Sequence, residues 1–172
     1  MSADLLFKVC NMAVLPGWLL LVIAPRWRYS QMAVFGIIIP ILSLVYASVL
    51  IKVTTSGGSF EAPDFSSIES IQALMSNKLG FVAGWVHYLA FDLFVGAWIT
   101  RDAAANRVNH FLTIPALFFT FMAGPFGLII YLVMRQVRRR EAIAEPQPIV
   151  PYLAEGESSV SIGADTFEES TE

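Results

Sequence analysis

Charge and cysteine are what this chain has least of. Only 15% of its 172 residues are charged, 56% are hydrophobic, and the mean hydropathy is +0.62. A soluble globular chain is nearer a quarter charged. The deficit is uneven, because residues 5–134 are almost wholly apolar and the rest of the C-terminal part is polar. Cys10 is the single cysteine, which excludes an intramolecular disulfide and every cysteine-based metal motif. No Lys or Arg follows Arg140, whereas Glu141, Glu145, Glu155, Glu157, Asp165, Glu168, Glu169 and Glu172 do. No basic stripe with interleaved aromatics is present, so nucleic acid is not an expected partner. No H-x3-H spacing, P-loop or nucleophile elbow occurs, and neither a metal nor a cofactor is expected. The first apolar run has no basic segment before it, carries Asp4 and is followed by "APRWRY" rather than a cleavage site. It is expected to stay in the protein as a membrane anchor.

What is there is four apolar runs, each about the 20 residues a helix needs to cross a bilayer. They cover about residues 5–25, 32–51, 79–100 and 111–134. None alternates with period two, which argues against a barrel. The predicted fold is all-α, an integral membrane bundle of four transmembrane helices (1–136) with a disordered acidic cytoplasmic tail (137–172). Short links, "RWRYSQ" and "RDAAANRVNH", predict two helical hairpins. Between them, "SSIESIQALMSNKLG" reads as a short amphipathic surface helix or as a loop, with Ser66 and Glu69 spaced as a capping box. Counting Lys and Arg near the span ends puts Lys8, Lys52, Lys78, Arg135, Arg138, Arg139 and Arg140 on one side. Arg26, Arg28, Arg101 and Arg107 fall on the other. This predicts that both termini are cytoplasmic.

Pro16, Pro40, Pro115 and Pro125 interrupt the first, second and fourth spans, and the third has no proline. That unbroken span holds His87 and Asp92. A carboxyl group near the middle of a span is costly unless it is protonated, paired or facing a wet cavity. His87 and Asp92 lie about 140° apart around a helix, so they do not share a face, whereas Tyr88 shares that of Asp92. They are candidate proton-transfer groups or, equally, hydrogen-bonding residues that hold the bundle together. Trp85, Tyr88 and Phe91 line a groove for a flat apolar ligand or face lipid. "TRDAAANRVNH", with Arg101 and Asp102, is a polar binding rim or a solvated turn. In "TFMAGPFGLIIY", Thr120 and the following Gly124, Pro125 and Gly127 mark an opening beside Asp92 or a packing notch.

The stretch "GWVHYLAFDLFVGAWITRDA" resembles the signature of the neoxanthin synthase family, plant products of an abscisic-acid-deficiency locus with bacterial members. "AVLPGWLLLVIAP" and "FFTFMAGPFGLIIY" resemble it too, and the likeness runs from about Leu5 to Arg135. The resemblance implies a small integral membrane protein. In plants it implies conversion of violaxanthin to neoxanthin without a cofactor: an epoxide opens and a proton leaves to give an allene. Such a reaction needs an acid and a base, and His87 and Asp92 match the family motif. The expectation is an isomerase-like protein acting on a carotenoid or other isoprenoid lipid, with Trp85, Tyr88, Phe91, Arg101, Asp102 and Thr120 as substrate-binding residues. The expected location is a bacterial inner membrane. The alternative is a non-enzymatic membrane protein, either a proton-coupled carrier or an assembly factor.

Overall fold

The computed structural model describes residues 2–55, 64 and 66–144. Every element among them is helical. Helix α1 spans Ala3–Ile23 and is started by Ser2, whose hydroxyl accepts from the Leu5 amide at 3.3 Å. After a short turn come α2 (Arg28–Ala33), a π-helical turn (Val34–Ile38) and α3 (Ile39–Thr55). These run on as one apolar span over Arg28–Val53. Pro40 accounts for the π turn: it has no N–H, and its ring crowds the carbonyl four residues back, at Gly36. The ladder widens there, and the Ile39 amide bonds to Val34.

Helix α4 (Ile68–Ser76) is the short amphipathic helix that was one of two open readings. Its cap is Ser67 and not Ser66. The Ser67 hydroxyl accepts from the Ser70 amide at 3.3 Å and donates to Glu69 at 2.9 Å. Ser66 instead donates to Asp64 through its hydroxyl at 2.6 Å and its amide at 2.9 Å, and these bonds hold the Asp64 carboxyl below the usual range. Glu69 is lowered as well, by its own backbone amide and then by Ser67.

Helix α5 (Lys78–Ala105) is capped by Asn77, which accepts from the Leu79 and Gly80 amides. It has the highest buried share of the long helices and is the centre of the molecule. Helix α1 packs on it through small residues, as membrane helices do. A side chain at Gly17 would meet Leu93 at 2.9 Å, and one at Gly96 would meet the Trp18 ring at 2.7 Å.

The predicted fourth span, 111–134, is not one helix. It is α6 (His110–Ala123) and α7 (Pro125–Ala144), broken at Gly124 with φ +40°. Pro125 cannot donate to a continuing helix and disfavours α geometry in the residue before it. Only glycine adopts such a φ cheaply. The chain then turns back. Gly127 lies so close to the Ala116 carbonyl and the Thr120 backbone that a Cβ would clash, and Phe126 packs edge-on against Phe119 at 5.3 Å. Gly124 itself lies against Asp92, midway along α5. Seven residues later Tyr131 reaches Asp102, near the end of α5 from which α6 departed. The pair α6–α7 is therefore a re-entrant hairpin. Arg135 lies about 16 Å beyond Gly124 along a helix axis, close to half of a hydrocarbon core of about 30 Å.

Three helices are long and apolar enough to cross a membrane: Ala3–Ile23, Arg28–Val53 and Lys78–Ala105. The protein is thus an all-α membrane protein. Three such helices and a helical hairpin stand where four spans were predicted. The start of α1, tied to α5 by Asp4–Lys78 at 3.7 Å, and the end of α7 lie on opposite faces. Helix α7 runs past the predicted boundary at 136/137, to Ala144. The predicted disordered tail beyond that point lies outside the described residues.

Candidate functional site

The site is built around Asp92. Its position follows from α5, which carries it to the mid-depth of the bundle, and from α1, which clamps α5 one turn later at Gly96. Asp92 is 8% exposed, and its Oδ2 has no hydrogen-bond partner. Such atoms are uncommon, because a buried polar group without a partner costs about 1–3 kcal/mol. The side chain that reaches Asp92 is Tyr88, one turn earlier on the same face.

Opposite Asp92 is the apex of the hairpin. Its Oδ1 lies 2.6 Å from the point where a Cβ would stand on Gly124. Glycine at this position both makes the turn and leaves room for the carboxyl group. The same turn aims the N-terminus of α7 into the middle of the bundle. Helix N-termini carry partial positive charge and amides without intrahelical acceptors. Pro125 has no amide hydrogen, which leaves the Phe126 and Gly127 amides as the first-turn donors, since Leu128 already bonds to Gly124. The Asp92 carboxyl group thus lies between Tyr88 on its own helix and the Gly124 apex of the hairpin. This set can bind and exchange a proton with a single polar group carried by an otherwise apolar molecule.

The other sequence candidates are dispersed. His87 is exposed on a different face of α5, against Tyr46 at 5.4 Å and Phe91 at 4.5 Å. It does not meet the Asp92 carboxyl. Phe91 is 58% exposed. Trp85 donates to Asn11 on α1 at 3.2 Å and stacks beside Phe81 and Tyr88. Arg101 is exposed and lies over the Phe35 ring at 5.5 Å. Thr120 is fully buried and donates to the Ala116 carbonyl at 2.8 Å, in the wall of the hairpin.

Asp102 stands apart from these. It accepts from Tyr131 at 2.5 Å and pairs with Arg135 Nε at 3.0 Å. Tyr131 is fully buried, with Trp98 edge-on to its ring at 5.8 Å. Near the same end, His110 Nε2 meets the Val22 carbonyl at 2.7 Å and ties the start of α6 to α1. Tyr131 and Arg135 were not singled out as site residues by spacing, because their partners are fixed only when the chain reverses; Gly124 was, in the expected opening beside Asp92 or packing notch. The adjacency of Gly124 and Pro125 was the one available signal. Gln31 is a further buried polar group: it donates to Thr100 at 2.9 Å, and its Oε1 has no partner. Among the described residues no three His, Cys, Asp or Glu side chains are grouped to hold a metal ion.

A groove of about 360 Å³ opens at the other end of the bundle, between the starts of α1 and α5 and the end of α4. Phe7, Phe81 and Met75 line it, with Lys8, Lys78 and Asp4. It lies more than two helical turns from Asp92 and shares no residue with that site.

Comparison with known proteins agrees with the motif. The chain is 23% identical over 145 residues to Protein ABA DEFICIENT 4, chloroplastic, of Arabidopsis thaliana. The match takes in 78% of this chain and 62% of that protein, so the chain spans less than two thirds of its relative's length. No solved structure matches. The model of the family described as ABA DEFICIENT 4-like matches residues 5–131, which include α1 to α6 and the apex of the hairpin. The chain belongs to the ABA DEFICIENT 4-like family.

Proposed function

We propose that this protein is a membrane-embedded isomerase acting on a carotenoid or other isoprenoid lipid, with Asp92 as its proton-transfer group. The observation that carries the reading is the buried Asp92 carboxyl with a free oxygen at the hairpin apex. The reaction class is the one that the resemblance to the neoxanthin synthase family implies. Opening an epoxide by isomerisation adds a proton to oxygen as the C–O bond breaks and removes one from carbon as a C=C bond forms. The balance is zero, so no co-reactant is required. One carboxyl group with two oxygens is suited to both halves: it donates from one oxygen and accepts on the other. Tyr88 stands beside it as a second hydroxyl. His87, on the Tyr46 side, contributes only if the substrate wraps around α5 between the two faces. Trp85 and Phe91, with Arg101, Asp102 and Thr120, are the proposed surroundings of such a substrate.

We infer the orientation from the charges at the two ends of the bundle. Lys8, Lys52 and Lys78 lie at one end, and Arg26, Arg28, Arg101, Arg107, Arg135, Arg138, Arg139 and Arg140 lie at the other. The positive-inside rule assigns the arginine end to the side from which the chain inserts.

The test is a lipid and pigment profile from cells with and without the gene, followed by an Asp92→Asn variant. Loss of the gene-dependent product in the variant, with unchanged protein level, is the expected result. A wild-type profile from Asp92→Asn refutes the assignment. One observation favours a second reading. Half-helices ending at mid-membrane also build ion and substrate sites in transporters. Proton flux into liposomes that depends on Asp92, with no change in any lipid, would establish that carrier instead.

A further inference from the structure

The hairpin gathers charge of one sign at one end of the molecule. Arg26, Arg28, Arg101, Arg107 and Arg140 are all exposed there. The acids on the helices at that end are Asp102, which already holds Arg135 and Tyr131, and Glu141 on α7. The lysine end is different, because Asp4, Asp64 and Glu69 stand among its cations. Helix α7 ends at Ala144 on the arginine face. Residues 145–172 continue from that point with Glu145, Glu155, Glu157, Asp165, Glu168, Glu169 and Glu172, and with no Lys, Arg or His.

We propose that the acidic segment 145–172 docks on the arginine face of its own membrane domain. Both partners are fixed by the hairpin: had α7 continued across the bilayer, the acidic segment would emerge at the lysine end. Reach is sufficient, since 28 residues extend to at most about 3.3–3.6 Å each, against helices spaced about 8–10 Å apart. Attachment raises the effective concentration of the segment at the face to about the millimolar range for a short tether. Anionic lipid headgroups have the same charge as the segment and compete for the same arginines, but they lack that tether. The docking is electrostatic and near the surface, so it weakens as the Debye length shrinks from about 30 Å at 0.01 M salt to about 3 Å at 1 M.

The experiment uses the full chain in nanodiscs of zwitterionic phosphatidylcholine. Spin labels go on Ala104→Cys, exposed at the arginine end, and on Ser159→Cys, with Cys10→Ala removing the native thiol. At low salt the expected result is a short, narrow interspin distance. High salt is expected to lengthen and broaden it, by about 10 Å or more on the Debye scale above. Neutralising Glu155, Glu157, Glu168 and Glu169 to Gln is expected to do the same at low salt, and these positions lie outside the described residues. Discs containing phosphatidylglycerol are expected to displace the segment in proportion to their charge. A distance that is long at low salt in phosphatidylcholine overturns the proposal. So does one that ignores salt and the four substitutions.

Discussion

The Tyr131 hydroxyl donates to Asp102 Oδ2 at 2.5 Å, joining residues on α7 and α5 that are 29 positions apart. Arg135, one turn further along α7, holds the same oxygen at 3.0 Å. Together they pin the returning arm of the hairpin to the helix that carries Asp92. This attachment adds to the close packing of Gly127 on Ala116 and Thr120, while the outer face of α7 is apolar and exposed at Ile129, Leu132 and Val133.

Tyr131→Phe removes the donor and keeps the ring against Trp98. The expected loss is about 1–3 kcal/mol, the range for a bond to a charged group and for the acceptor left behind. Thermal unfolding in detergent reads it as a lower Tm. Asp102→Asn is expected to weaken both attachments at once, and its effect together with Tyr131→Phe is expected to be less than additive. Full additivity in that double-mutant cycle would show that the two side chains act independently.

Gly124→Ala addresses the apex. A methyl group there meets Asp92 Oδ1 at 2.6 Å and is also held at φ +40°. The expected cost is about 1–3 kcal/mol of backbone strain, with the collision added. Asp92→Ala in the same chain removes the collision but not the strain, so it is expected to restore part of the stability and none of the activity. Equal stability of Gly124→Ala and wild type would contradict the hairpin geometry.

Acid acts on the surface helix α4. Asp64 and Glu69 are both depressed below their ordinary values by hydrogen bonds at its N-terminus. A depressed carboxyl group stabilises the fold above its unfolded value, and that contribution is lost as pH falls through the folded value. The N-terminal turn of α4 is therefore expected to loosen below about pH 4, the range of free carboxyl groups, while α5 is unaffected. Site-resolved hydrogen exchange of the Ser66 and Ser70 amides, normalised to intrinsic rates, checks this. Unchanged protection between about pH 6 and pH 3 would show that these bonds do not hold the turn.

Much of the fold follows from composition and period alone. A helix in lipid satisfies its own backbone, so each long apolar run had to be helical. The runs near 5–25, 32–51 and 79–100 match the three helices long and apolar enough to cross a membrane, with their ends shifted by a few residues. Helical geometry likewise separated His87 from Asp92 and placed Tyr88 beside the carboxyl group, and the structure has both. The family was legible in the third-span motif. What hydropathy does not carry is direction. A glycine followed by proline permits a kink or a reversal, and residues 111–134 are equally apolar in both cases. The choice was made by distant contacts: Gly127 against Ala116 and Thr120, and Tyr131 and Arg135 on Asp102. Those contacts place Arg135 and the end of the helical chain at the end of the bundle opposite the start of α1. They also bring Gly124 to Asp92. The carboxyl group in the membrane was visible in the sequence, and the turn that receives it exists only in the folded chain.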